Sequence, residues 1–492
     1  MNKNIIANIA NKAWGFLSIL LFTPLYIKFL GVEAYGLIGF YSTLLAMLAF
    51  ADMGFTATLT RETARFNKGK IDEKKYILNL LRSYELLYML ISLFISISIW
   101  ALAPFIVNKW LHFSSGFNHQ QALYAIRLMG IALALQLPSD LFFGGLMGLQ
   151  DQVKANFLQI SWSVFRAFGA ILAMYLISST ILVFAGWQLI SNGLYCIIIR
   201  SCLWKKLTQG RDKGSFDKQI FKNTWKYSLG MMLMAIISIC LTQADKLMIS
   251  KVLPLKEFSY YSLAASVASI PLVMANPVAN AVFPRITGLI AVQNIKEMKA
   301  IYLKFTALVS VLVMTTALIL IIYSEEFIYA WTGSKVIAQY SYKIAFFLII
   351  GQLLQGITVI PYYVALAFGS VKINLKVGVI SIIVLLPLLF FMVNRYGAIG
   401  GGVSWAITNA VVIPIYMFFL HRKFLKDVML TWLIRSIAIP FVLISVFACI
   451  AKLLTASLLN GRIQIFITMT IAWVIISTIT YVIVVRNKHA KM

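Results

Sequence analysis

The chain has 492 residues, 61% of them hydrophobic and 12% charged, with 43 Lys and Arg against 16 Asp and Glu. A soluble globular domain carries about a quarter charged residues, so this composition excludes one, and no soluble domain fits between the apolar runs. The net charge of +27 does not point to nucleic acid, because the basic residues sit in short loops between apolar segments, as the positive-inside rule requires.

Lys3 and Lys12 precede the first apolar run, which meets Pro24 and Lys28 rather than a small-residue cleavage site, so a retained first span is expected. Runs near 13–30, 34–59, 84–107, 122–147, 156–177, 180–203 and 227–252 predict the first seven membrane helices. Runs near 258–284, 302–323, 341–368, 373–393, 398–420, 430–454 and 463–485 predict the other seven. The expected fold is an all-α polytopic integral membrane protein with about fourteen transmembrane helices.

The even-numbered links are the basic ones. They carry Arg61, Arg65, Lys68, Lys70, Lys74 and Lys75, then Lys205, Lys206, Arg211, Lys213, Lys218 and Lys222, then Arg285, Lys296 and Lys299. Lys372, Lys376, Arg422, Lys423 and Lys426 follow, and the tail adds Arg486, Lys488 and Lys491. Both termini are therefore expected in the cytoplasm. A shift of 223 residues lays Lys28-Phe29-Leu30 on Lys251-Val252-Leu253, Tyr35 on Phe258 and Pro138 on Pro361. That repeat divides the chain into an N-terminal lobe (1–204), a basic cytoplasmic linker (205–226), a C-terminal lobe (227–427) and an appended pair of spans with the tail (428–492).

No GxxxxGK[ST] loop is present, and the four histidines, His112, His119, His421 and His489, form neither an HExxH motif nor a catalytic arrangement. The reading is therefore of a protein that is not an enzyme and has no cofactor. Cys196, Cys202, Cys240 and Cys449 lie in or at the ends of apolar segments without metal-ligand spacing. The chemistry left is charge inside the membrane, where one ionised residue costs roughly 2.5–3.5 kcal/mol on insertion scales and so faces protein or a watery cavity.

Asp52 lies in span 2, Arg127 and Asp140 in span 4, Arg166 in span 5, and Asp245 and Lys246 in span 7. One reading is mutual neutralisation, Asp140 with Arg166 and Asp245 with a nearby cation, with Arg127 and Lys246 snorkelling to an interface. The other is a shared polar cavity. Pro138, Pro271, Pro277, Pro361 and Pro387 interrupt spans, as moving helices often require. Trp110-Leu111-His112-Phe113 is expected on the bilayer surface, and Tyr362 and Tyr363 beside Pro361 are candidates to stack on sugar rings.

Three stretches carry a family resemblance. The first joins Pro-Leu-Tyr-Ile-Lys-Phe-Leu-Gly at 24–31, Glu33-Ala34-Tyr35-Gly36, Ala51-Asp52-Met53-Gly54 and Arg61-Glu62-Thr63-Ala64-Arg65. The second runs from Leu137-Pro138-Ser139 to Gly148-Leu149-Gln150, and the third joins Asp245-Lys246 to Tyr260-Tyr261-Ser262-Leu263-Ala264. Across spans 1–12 the chain resembles polysaccharide (O-antigen type) flippases of the multidrug/oligosaccharidyl-lipid/polysaccharide exporter superfamily.

The resemblance implies two six-helix pseudo-symmetric lobes around a central cavity. It also implies export of an undecaprenyl-pyrophosphate-linked oligosaccharide across a bacterial inner membrane by alternating access. Membrane lipids, a polysaccharide polymerase and a chain-length regulator are the partners it suggests. In that frame Arg127, Arg166, Lys246 and Lys28 are the candidate pyrophosphate cations. Asp52, Asp140 and Asp245 are ion-coupling or structural carboxylates, with H+ or Na+ as the coupling ion. A lipid II flippase shares the anionic cargo. A cation-coupled multidrug exporter would instead need an acidic pocket, and here the cations match or outnumber the carboxylates. A membrane glycosyltransferase or polymerase would need a larger outer loop than any link provides.

Overall fold

The computed structural model describes residues 2–66, 71–208, 214–455 and 461–486. The basic positions Lys68, Lys70, Arg211, Lys213, Lys488 and Lys491 lie outside them. No strand forms among the described residues, and the one extended contact is an isolated bridge between His112 and Pro254. With backbone polar groups satisfied inside each segment, helices are what so apolar a chain can build in lipid.

Two compact units divide the chain, Met1–Ser259 and Tyr260–Met492. The first holds α1 (Asn2–Leu30), α2 (Val32–Met47), α3 (Phe55–Phe66), α4 (Ile71–Phe105), α5 (His119–Gly148), α6 (Gln152–Leu176), α7 (Ile181–Thr208) and α8 (Lys218–Val252). It also takes the first residues of α9 (Leu255–Ala268). The second continues with α10 (Ile270–Ala291), α11 (Ile295–Ile322), α12 (Ser324–Thr332), α13 (Lys335–Ile357), α14 (Val359–Ala367) and α15 (Val371–Phe424). The short α16 (Met429–Thr431) runs through a π-helical turn into α17 (Ile439–Thr455), and α18 (Arg462–Tyr481) closes the series.

Among the described residues, eleven helices are long and apolar enough to cross a membrane. α15 bends at Gly397, whose φ of 61° and ψ of −141° are non-helical, and so supplies two spans. α2 and α3 form one interrupted span and α8 another, which together account for the fourteen expected segments. The repeat reappears in the elements. α2 begins at Val32 after Gly31 and α9 begins at Leu255 after Pro254, 223 residues apart. The break between α2 and α3 has its counterpart between α9 and α10, at Ser269 before Pro271.

α5 is the centre of the first unit and packs on α3, α4 and α7. Gly144 and Gly148, one turn apart, let α3 approach closely enough for Thr60 Oγ1 to donate to Gly144 O at 2.9 Å. A Cβ at Gly148 would collide with the Thr63 hydroxyl and the Thr60 carbonyl. Backbone cannot yield there as a flexible side chain would. Gly148→Ala is therefore expected to destabilise the protein by about 1–3 kcal/mol, seen as a lower unfolding temperature in detergent. An unchanged melting curve would mean that α3 and α5 are less tightly joined than this.

In the second unit α11 holds the central place, with Met298, Tyr302 and Val313 fully buried. The C-terminal pair α17 and α18 packs on it and is tied by polar contacts as well as apolar ones. Trp473 Nε1 donates to Thr316 Oγ1 at 2.9 Å, Arg462 Nε to Ala330 O at 2.9 Å, and Lys452 pairs with Glu326.

The outer link makes protein contacts that the sequence reading did not include. It docks on protein: Trp110 Nε1 donates to Ser250 Oγ at 3.1 Å, and Leu255 N to His112 O at 2.8 Å. Leu111 is 3% exposed there. Its polar partners, at the α8 end and the α9 start, lie more than a hundred residues away in the sequence, which is why the four-residue pattern alone pointed to lipid.

Candidate functional site

The site begins at the break between α2 and α3. Residues Leu48–Phe50 tighten into a 3-10 turn, and Met53 and Gly54 follow with φ of 48° and 73°. A helix broken inside a membrane span leaves backbone groups in need of partners, and Asp52 supplies them. Its Oδ2 accepts from Gly54 N at 3.1 Å and its Oδ1 from Tyr88 Oη at 2.6 Å, while the Thr56 hydroxyl donates to the same oxygen. Asp52 thus braces the turn that leads into α3, held by one backbone amide and two hydroxyls.

Asp140 differs. It lies on α5, roughly 12 Å along the helix axis from its Gly148 end. Its side chain is exposed, yet it stands within electrostatic reach of Asp52 and Tyr195 and alongside the Gln136 amide. Among the described residues it forms no ion pair with Arg166, so the expected neutralising pair is not made. An exposed carboxylate at that depth belongs beside water, since lipid would penalise it.

Beyond Tyr195 the aromatic rings lead to Arg166. Tyr195 stacks on Trp162 with centroids 4.5 Å apart and planes at 17°, and the Arg166 guanidinium lies 4.4 Å from the Trp162 ring centroid. Arg166 is half-buried, and its charge reaches the phenols of Tyr26 and Tyr41. Residues on α1, α2, α5, α6 and α7 thus stand within electrostatic reach of one another along a column: Asp52, Asp140, Tyr195, Trp162, Arg166, Tyr41 and Tyr26.

Polar atoms along this column are left over. Gln136 Oε1, Trp162 Nε1 and Tyr195 Oη are buried without hydrogen bonds, while the Tyr41 phenol and the Asn192 amide stand side by side. Native proteins keep only a few such atoms per hundred residues. Three in one place mark a region with spare hydrogen-bonding capacity.

The other predicted site residues lie elsewhere. Arg127 is sandwiched between α4 and α5 aromatics, 4.7 Å from the Trp100 ring and 5.9 Å from that of Tyr124, and its Nε is buried and unpaired. Asp245 and Lys246 are half-buried on α8, where Lys246 Nζ donates to Gln243 Oε1 at 3.3 Å. Lys28 is exposed in the last turn of α1. Of the four cations only Arg166 joins the two carboxylates.

Sequence reasoning missed Glu85. Fully buried on α4, it pairs with Arg82 at 3.3 Å and with Arg200 of α7. The Arg82–Glu85 spacing of one helical turn was the available signal. Trp162 and Tyr195 were also missed, because an aromatic residue in an apolar run carries no mark of its neighbours.

These features define a multi-pass helical membrane protein with charges gathered inside one unit. The fold is that of known flippases and exporters: a structure titled lipid II flippase MurJ, inward closed conformation, superposes with a TM-score of 0.73 at 16% identity, over 98% of this chain and 99% of that one. An inward-facing multidrug resistance transporter of the MATE family and MOP superfamily gives a TM-score of 0.67 at 14% identity, over 86% and 96%. A family model described as "Polysaccharide biosynthesis protein" matches residues 1–290, and the chain belongs to that family. A Shigella flexneri protein named "Putative O-antigen transporter" is 25% identical over 414 residues, which is 81% of this chain and 94% of that one.

Proposed function

We propose that the protein is a flippase that carries a polyprenyl-pyrophosphate-linked oligosaccharide, such as an O-antigen repeat unit, across a bacterial inner membrane by alternating access. Family membership supports a role in polysaccharide biosynthesis. The observation that carries the reading further is the Arg166 column: a cation on an aromatic platform, inside a membrane unit, with spare hydrogen-bonding groups beside it. A guanidinium held in this way keeps its fork of donors for a phosphate. Lys246, Lys28 and Arg127 are further cations that the moving cargo would meet. The polyprenyl tail can remain in lipid while the head passes.

In this reading the protein performs no covalent chemistry, and the coupling ion is H+ or Na+. The carboxylate pair divides the work of coupling: Asp52 is committed to its three donors, and Asp140, open and next to it, takes up and releases the ion. Asp245 remains a structural carboxylate next to Lys246. A polymerase and a chain-length regulator are the proposed downstream partners. Both termini are placed in the cytoplasm on the charge of the links.

The test is flipping of the extracted lipid-linked oligosaccharide in proteoliposomes. Imposed proton or sodium gradients are expected to speed it, and Asp140→Asn to remove that response. Flipping that ignores both gradients would sink the coupling assignment. A protein that moves lipid II or cationic drugs but not the oligosaccharide would overturn the cargo.

A further inference from the structure

The second copy of the fold has a different chemistry at the same places. The positions 223 residues after Pro138 and Asp140 of α5 are Pro361 and Tyr363 of α14. An open carboxylate in the first unit thus corresponds to a phenol in the second. Neutral hydrogen-bonding groups gather around that phenol. Tyr363 Oη donates to Asn280 Oδ1 at 2.7 Å, and the ring stands 5.2 Å from that of Phe283. Asn276, one turn before Asn280, shares the exposed face of α10.

Tyr362 is 40% exposed and meets Tyr363 edge to face, with centroids 5.7 Å apart. It lies within electrostatic reach of Tyr416, whose Oη donates to Asn374 Oδ1 at 2.9 Å. The Nδ2 of Asn374 is buried and has no hydrogen bond. Among the described residues no carboxylate enters these contacts. The Arg285 cation farther along α10 is taken up by Glu297 at 3.3 Å.

Three kinds of ligand can be weighed against this set. Hydrocarbon would strand the amides of Asn276 and Asn280, which it cannot hydrogen-bond. Phosphate accepts but does not donate, so it cannot serve the acceptor oxygens of Asn276 and Tyr362. A sugar hydroxyl both donates and accepts, as a carboxamide does, and the C–H face of a pyranose packs on an aromatic ring. We infer that Asn276, Asn280, Tyr362, Tyr363 and Asn374 form a subsite for the saccharide of the cargo, separate from the phosphate-binding column. The inference rests on the flippase reading.

The experiment measures binding to purified full-length protein in lipid nanodiscs. One probe is the lipid-linked oligosaccharide extracted from the producing cells, and the other is sugar-free undecaprenyl pyrophosphate. Tyr362→Leu and Asn280→Ala are each expected to weaken the first probe about tenfold, the scale of one lost hydrogen bond or ring contact, and to leave the second within twofold. Asn280→Ala changes an exposed side chain and decides the matter alone if Tyr362→Leu does not fold. Equal weakening of both probes, or none for either, overturns the saccharide assignment while leaving the flippase reading intact. Failure of the unaltered protein to bind either probe would instead remove the flippase reading.

Discussion

Arg166→Ala is expected to lower flipping in proteoliposomes by at least about 30-fold, the smaller end of what losing one buried charge partner costs. The reason is geometric. Trp162 lies 4.4 Å from the guanidinium on one side, so the donor fork is held for a planar, two-oxygen contact that a lysine meets only as a point charge. Arg166→Lys should keep part of the activity. Arg127→Ala should have a smaller effect, because Arg127 spends its charge between the Trp100 and Tyr124 rings. Rates are to be normalised to the amount of reconstituted protein. An Arg166→Ala variant present at normal levels and flipping at the normal rate would end the phosphate assignment.

The second large effect concerns stability. Glu85 is fully buried, whereas the side chains of its partners Arg82 and Arg200 are 37% and 41% exposed. That asymmetry makes the two sides of the network unequal. Replacing both arginines with methionine strands a buried carboxylate and should destabilise the first unit by about 3–5 kcal/mol. Glu85→Gln should cost about 1 kcal/mol, since the arginines can turn to water. The Glu85→Gln change introduced into the double-methionine protein should recover most of the loss. Denaturation in detergent, followed by the membrane abundance of each variant, distinguishes these outcomes. A Glu85→Gln protein as unstable as the double-methionine one would contradict the argument.

The sequence by itself determined the class of protein and much of its plan. Apolar run length is a local property set by bilayer thickness, so the helices could be placed from residue patterns alone, and the 223-residue spacing survives in the starts of α2 and α9. Asp52, Asp140 and Arg166 stood out because a charge among apolar residues is conspicuous wherever it lies.

What those charges do was decided only by the tertiary structure. Asp52 is fixed at the break before α3 by Tyr88, 36 residues away, whereas Asp140 stays open and Arg166 turns to Trp162 instead of pairing with Asp140. Glu85 is another case, for its burial depends on Arg200, 115 residues along the chain. The neutral patch at Tyr362, Tyr363 and Asn280 is the extreme case. Tyrosine and asparagine are ordinary in any membrane helix, and only the packing of α10, α14 and α15 brings them to one surface. Insertion into lipid is governed by each segment's own composition, but hydrogen-bond partners are chosen across helices, and the second kind of information is absent from any single stretch of chain.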